Sequence, residues 1–270
     1  MRRLCMFVET AMKDPYEIKS KEYAEAWVLF KKFLKRKGGK GGLKDIFLNE
    51  QPDSVGTFKK AYFVKPKQLD RISVLLVEIG SEAFFQKRDA LMKKLSKYAS
   101  NEHMIIPMQL MKHTLQSEDG LRKYVVLVTE GRYCPDDLQK WVAKQREIDI
   151  IDLVSQFVAL HKVLLEMLDD KLYFTDVKSE NVIHCGDHLA LIDLDSVLSE
   201  DLIFKDREVG SFTMPEAKQF ARFAGIIAKH SSKYKNGRED EGYKEDILML
   251  YKFYTLFAFS SMVFRNYIFI

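Results

Sequence analysis

A chain of 270 residues and 31.5 kDa is long enough for one large domain or two packed lobes. Hydrophobic residues make up 47% and charged residues 30%, with only 6 prolines and 13 glycines, which excludes a disordered or low-complexity chain and argues against a turn-rich all-β architecture. The 43 basic and 39 acidic residues leave +4, too mild a balance to mark a nucleic-acid binder, and none is expected.

The basic excess is local. Residues 1–44 hold 12 Lys/Arg against 5 Asp/Glu, and the other 226 hold 31 against 34. Met1-Arg-Arg-Leu-Cys-Met-Phe-Val8 begins like a secretory leader, but Glu9 ends its apolar run, so secretion is not expected. Lys21–Lys37 reads as a basic helix, with Tyr23, Trp27, Phe30 and Leu34 at three- and four-residue spacing. Lys37-Gly-Gly-Lys-Gly-Gly42 reads as a flexible linker. Ser54–Lys65 and Ile72–Ile79 are strand candidates, Glu82–Tyr98 a helix, and Met104–Met111 and Tyr124–Thr129 further strands. From Pro135 the chain turns helical, and Asp149–Leu168 is amphipathic through Val154, Phe157, Leu160, Leu164 and Leu168. Val182–His184 and Leu189–Ile192 form a hairpin, and helices follow from Pro215. At the C-terminus, Lys252 and Arg265 leave only the 12 residues Phe253–Phe264 uncharged. That is short of the roughly 20 a membrane span needs, so a buried core helix is expected. Three scattered cysteines, Cys5, Cys134 and Cys185, form no C-x-x-C pair. The expectation is therefore no disulfide framework, no structural zinc and a reducing, cytoplasmic setting.

The segment with the most chemistry is Tyr173-Phe-Thr-Asp-Val-Lys-Ser-Glu-Asn-Val182, followed by Leu191-Ile-Asp-Leu-Asp195. Phosphoryl transfer needs a carboxylate to take or orient a hydroxyl proton and a cation beside the moving phosphoryl group. It also needs oxygen ligands from two places for Mg2+. Asp176, Lys178 and Asn181 supply these types within six residues, and a hairpin would bring Asp193 back beside Asn181.

Here the chain resembles the protein kinase family, from about Leu48 to Asp246. Asp176-Val-Lys-Ser-Glu-Asn181 is similar to the catalytic loop D-L-K-P-E-N, Asp193-Leu-Asp195 to D-F-G, and Met214-Pro-Glu216 to A-P-E. Lys244-Glu-Asp-Ile-Leu-Met-Leu250 resembles the start of the buried large-lobe helix, whose Asp (Asp246) would brace the catalytic loop. Leu127-Val-Thr-Glu-Gly131 resembles the strand leading to the hinge. The resemblance implies an α+β, bilobal protein kinase-like fold, with a basic helical arm and Gly linker over residues 1–44. A small β-sheet lobe with one helix would span 45–131, and a truncated, mainly helical large lobe 132–270. ATP and Mg2+ are the implied cofactors. Asp176 would be the base, Lys178 would neutralise the phosphoryl group, and Asn181 and Asp193 would hold the metal. Thr129 would be the gatekeeper, with Glu130 to Arg132 presenting backbone to adenine.

The chain also departs from the family. Ser54-Val-Gly-Thr-Phe-Lys-Lys-Ala-Tyr62 keeps only Gly56, Phe58 and Tyr62 of the glycine-loop pattern, and counting 15 residues on from Ala61 places Leu76 at the strand-lysine position. Gly56-Thr-Phe-Lys59 is similar to the loop of the with-no-lysine kinases, which implies that Lys59 supplies the missing charge; the alternative is an exposed lysine beside Lys60. Phe174-Thr175 replaces His-Arg, Asp195 replaces a glycine and offers a third metal carboxylate, and Ser211 and Thr213 are phosphosite candidates. Lys229–Tyr243 reads as a charged insertion, and the 24 residues after Asp246 imply a large lobe without its later helices. His184 and His188 flank Cys185 on the hairpin turn, a further candidate metal site. The expected function is an ATP-dependent phosphotransferase on Ser/Thr of a protein substrate. The alternatives are a pseudokinase that binds a regulatory protein partner, or a small-molecule kinase on the same scaffold.

Overall fold

The computed structural model describes residues 20–37, 43–55, 59–64, 72–145, 148–204 and 241–268. In chain order the elements are α1 (Ser20–Arg36), α2 (Leu43–Asn49), β1 (Ser54–Val55), β2 (Lys59–Val64), β3 (Ser73–Gly80), α3 (Glu82–Leu95), β4 (Met108–Gln116) and β5 (Lys123–Arg132). Then come β6 (Asp136–Asp137), α4 (Leu138–Lys144), α5 (Ile150–Asp169), β7 (Leu172–Phe174), β8 (Val182–His184), β9 (Leu189–Leu191), β10 (Val197–Ser199), α6 (Glu200–Phe204) and α7 (Glu241–Ile268). The described residues fall into two compact units. One lies within Asp14–Tyr98 and Ile105–Tyr133, the other within Ala99–Met104 and Cys134–Ile270.

The first unit is a five-stranded antiparallel sheet in the order β1-β2-β3-β5-β4 with helices on both faces. Leu75, Val77 and Ile79 alternate along β3 and, with Tyr62, Val126 and Val128, bury against Ala26, Phe30 and Leu34 of α1 and Phe47 of α2. The basic helix is therefore a wall of the sheet. Its polar side is tied down by Lys32 to Glu118 (2.5 Å) and by Glu25 to Arg122 (3.1 Å). Lys60 Nζ lies 3.7 Å from the centroid of the Trp27 ring, a cation–π contact on this same face. On the opposite face α3 seats Phe85 against Val125 and Leu127. Its start is fixed by Ser81, whose hydroxyl accepts the Phe84 N–H at 3.1 Å. A Cβ at Gly80 would meet Phe84 Cδ1 at 2.9 Å and Phe85 Cε2 at 3.0 Å, so a larger residue there would have to push these rings aside.

In the second unit α5 begins at Asp149, whose carboxylate accepts the N–H groups of Ile151 (2.9 Å) and Asp152 (3.2 Å). It buries Leu153, Phe157, Leu160, Val163, Leu164, Met167 and Leu168. The expected stripe is offset at its first position: Leu153 is buried and Val154 is exposed. Lys171, with φ 58°, reverses the chain into β7, which pairs with β10. β6, β8 and β9 form a second small sheet, with Asp137 opposite Ile183 and Val182 opposite Leu191. The continuous α7 buries Tyr254, Thr255, Ala258 and Phe259, with Phe259 against Phe157 and His161 of α5. Its window Lys244–Phe264 has a mean hydropathy of 1.6 and is 39% buried. Among the described residues this is the one helix long and apolar enough to cross a membrane, by length and composition alone.

Three expectations are corrected. β4 starts at Met108, later than Met104, which instead makes an isolated bridge to Leu191. β6, a two-residue strand just past Pro135, has too little sequence to show a period. Cys134 and Cys185, read as unpaired, form a disulfide across 51 residues with Cα atoms 4.9 Å apart. The pairing of β6 with β8 is what aligns them, a long-range contact with no local spacing to announce it. Closing a loop of this length removes about 4 kcal/mol of chain entropy from the unfolded state. Reduction, or Cys134→Ser, is therefore expected to cost about 2–4 kcal/mol in a denaturant titration; identical midpoints with and without reductant would contradict this.

Candidate functional site

Asp176, Lys178, Asn181 and Asp193 all belong to the second unit, and the two strands either side of a four-residue turn gather them. β7 delivers the chain through the buried Phe174 to Thr175, whose hydroxyl donates to the Ser196 carbonyl at 2.8 Å. Thr255 of α7 holds the same stretch, donating to the Phe174 carbonyl at 3.2 Å. Asp246, expected in that bracing role, makes no hydrogen bond to the loop among the described residues. The Asp176 side chain is only 12% exposed. Its Oδ2 accepts from Lys178 Nζ at 2.6 Å and from Asn181 Nδ2 at 2.9 Å. The same amide nitrogen donates to the Asp176 carbonyl at 2.9 Å. With its NH2 committed to Asp176, Asn181 can ligate a cation only through its oxygen.

The β8–β9 ladder brings the second carboxylate back. Val182 pairs with Leu191, and the Ile192 N–H donates to the Asn181 carbonyl at 2.9 Å, so Asp193 follows directly on the residue bonded to Asn181. The turn closes through the Cys185 N–H to the His188 carbonyl at 2.8 Å, with Gly186 at φ 97°. Asp193 is exposed and left-handed, φ 55° and ψ 49°. Aspartate tolerates that region better than most side chains, and residues held there cluster at functional sites. Asp195 is half-buried in the turn Leu194–Ser196 that follows.

The residues expected to meet nucleotide from the other unit lie on its sheet. Thr129 is 3% exposed and sits opposite Leu76. Its hydroxyl has no hydrogen-bond partner among the described residues, which is uncommon for a buried polar atom. Glu130 is paired on both sides, to Leu75 and Met108, while Gly131 and Arg132 pair with β3 only. Lys59 opens β2 directly opposite Glu78, and Lys60 turns to the other face over Trp27. Burial, and then the charge of Lys31, hold the Lys60 pKa below the ordinary lysine value. Gly56, Phe58, Ser211, Thr213, the A-P-E-like Met214–Glu216 and most of the expected insertion lie outside the described residues.

Two residues were missed. Glu78 on β3 and Arg88 on α3 form an ion pair, Arg88 Nη1 to Glu78 Oε2, with side chains only 2% and 5% exposed. Both could have been found: Glu78 is the sole charge in the strand Ser73–Gly80, and Arg88 falls three residues from both Phe85 and Leu91 on the buried stripe of α3. On the hairpin turn the metal reading fails. Cys185 is in the disulfide, His184 stacks on Trp141 at 4.2 Å, and His188 Nδ1 is 2.6 Å from Asp187. Among the described residues no three His, Cys, Asp or Glu side chains gather as a metal-binding group.

Burial beside Trp141, and then the neighbouring His188, lower the His184 pKa. A histidine with a folded pKa below its unfolded value protonates more readily when unfolded. Its stability contribution is complete above about pH 6.5 and is lost as the pH falls. The thermal midpoint is expected to drop between about pH 7.5 and pH 5.5, and to drop less in His184→Gln. Equal slopes in the two proteins would contradict this.

No protein-family model matches the chain, and no curated protein matches it.

Proposed function

We propose that the chain is an ATP-dependent phosphotransferase acting on Ser/Thr of a protein substrate. In this reading the sheet unit corresponds to the small lobe, and the helical unit to the large lobe, of a bilobal kinase-like fold. The observation that carries the reading is Asp176, held by Lys178 at 2.6 Å and Asn181 at 2.9 Å, with the β8–β9 hairpin returning Asp193 beside Asn181. Two contacts on Oδ2 fix the plane of the carboxylate, so it can orient a substrate hydroxyl and take its proton without first reorganising. Lys178 lies close enough to offset negative charge that develops beside Asp176. Asn181, through its oxygen, and Asp193 are hard donors of the kind Mg2+ prefers and would hold it here. Mg-ATP supplies the transferable phosphoryl group when bound. The unpartnered Thr129 hydroxyl, over the half-buried Ala61 and Leu76, suits the polar edge of a purine ring, with Glu130 and Arg132 at the end of the same strand.

A second reading, a pseudokinase that recruits a regulatory protein, is favoured by Glu78. Leu76 stands where the resemblance calls for a lysine and cannot grip phosphate, and the one charge in that strand, Glu78, is a carboxylate already paired with Arg88.

The test is Mg2+-dependent transfer of the ATP γ-phosphate to a mixed Ser/Thr substrate. Asp176→Asn is expected to lower the rate by about 10²–10⁴-fold with an unchanged circular dichroism spectrum. Absence of any transfer or ATP hydrolysis by the wild type would exclude the phosphotransferase and leave the second reading.

A further inference from the structure

The C-terminal half of α1 and the neighbouring sheet edge carry a cationic surface that the function proposed above does not use. Between Glu25 and Asp45 the sequence holds no Asp or Glu. Among the described residues Lys32 has Glu118 as its counter-ion at 2.5 Å, whereas Lys31, Lys35 and Arg36 have none. The sheet adds a fourth cation. Lys60 of β2 reaches over the ring of Trp27, one helical turn before Lys31. Burial, and then the charge of Lys31, push the Lys60 pKa down, so these two cations sit close enough to repel. An anion arriving from outside would relieve that repulsion. The dipole of α1 rewards Lys35 and Arg36 in its last turn, but it gives no account of Lys31 and Lys60. Two exposed valines border the cations. Val28, 52% exposed, lies three residues before Lys31 and seven before Lys35, on the same side of the helix. Val55, 64% exposed, is the register partner of Lys60 across β1 and β2, and directly opposed residues share a face.

We propose that this surface docks the protein on an anionic phospholipid bilayer, with Lys31, Lys35, Arg36 and Lys60 over the lipid phosphates and Val28 and Val55 in the headgroup layer. A cluster of about four or more Lys/Arg on an amphipathic helix is the electrostatic footprint of such binding. The apolar side of α1 is committed to the sheet through Ala26, Phe30 and Leu34. The helix therefore meets the membrane by its charged side, held by charge and two small side chains and not by deep insertion. Nucleic acid fits this surface less well. Its bases stack on open aromatic faces, and Trp27, the ring within the patch, packs beside Phe30 at 5.6 Å and is capped by Lys60. The proposal is independent of the phosphotransferase reading, whose Asp176 and Asn181 belong to the other unit.

The experiment is co-sedimentation of the full chain with vesicles of phosphatidylcholine alone and of phosphatidylcholine mixed with phosphatidylserine. It compares wild type, the cluster variant Lys31→Gln/Lys35→Gln/Arg36→Gln, Lys60→Gln, and a control that removes three exposed charges elsewhere, Lys93→Gln/Lys123→Gln/Lys162→Gln. Wild type is expected to bind only the phosphatidylserine vesicles, and less tightly as salt is raised, because exposed charges are screened. Each cation removed from the cluster should cost about fivefold in affinity, so about a hundredfold for the cluster variant and about fivefold for Lys60→Gln. The control should lose less than about threefold, since its charges lie beyond a Debye length from a bilayer docked on α1. Melting curves confirm that each variant is folded, and Lys60→Gln, which leaves α1 intact, reads the proposal even if the cluster variant is not. Equal binding to the two kinds of vesicle, no binding to either, an undiminished cluster variant, or equal losses for cluster and control would each overturn it. So would tighter binding of an RNA oligonucleotide than of the phosphatidylserine vesicles, which would make a polynucleotide the ligand. The phosphotransferase reading stands or falls separately, on γ-phosphate transfer.

Discussion

The site depends on the Asn181 amide. Its side-chain nitrogen donates to the Asp176 carboxylate and carbonyl, and the main-chain carbonyl of the same residue accepts the N–H of Ile192, which precedes Asp193. One side chain and one peptide group thus tie the loop after β7 to the return strand of the hairpin. Loops ordinarily move more than the elements they join. Here the loop is pinned from three sides, by Asn181, by the Ser196 carbonyl against Thr175, and by Thr255 from α7. Pre-organisation of this kind lets a carboxylate act without reorienting when a reaction begins.

The disulfide works on the same structure from its far end. Cys134 and Cys185 staple β6 to the turn end of the β8–β9 hairpin, and the opposite end of that hairpin carries Asn181 and Asp193. Stacking of His184 on Trp141 secures the hairpin against α4. The hairpin has only three residues in each strand, too few to be stable unaided, so its position depends on these attachments.

What could be read in advance follows the range of the interactions. The β8–β9 hairpin is local, and its spacing, with Asp193 returned beside Asn181, was legible from residue order; the contacts of Asp176 with Lys178 and Asn181 were not. Also legible were α1, α5 and β5, each long enough to show a period or an unbroken apolar run. The half-step error at Val154 against Leu153 arises because a helix face read from spacing alone is free to rotate until packing fixes it. The disulfide and β6 depend on residues some fifty positions apart, which no window contains. Glu78 was passed over because counting from the glycine-loop segment assumes a fixed distance along β2 and β3. The ladder sets Leu76 and Glu78 on the same face of β3, two residues apart, and it is Glu78 that meets Arg88 of α3. The burial of Glu78 and Arg88 could not be priced one residue at a time, since each is unfavourable alone and acceptable only as a pair.

The central claim is that Asn181 and Asp193 form the two protein donors of a Mg2+ site that serves a nucleotide. The most direct measurement is the thermal midpoint of the wild type and Asp193→Asn with ATP, in the presence and absence of Mg2+. A ligand that binds only the folded state raises that midpoint. The account predicts stabilisation of the wild type that requires both ATP and Mg2+ and is lost in Asp193→Asn. Stabilisation that is indifferent to Mg2+, or that survives the substitution, would contradict it.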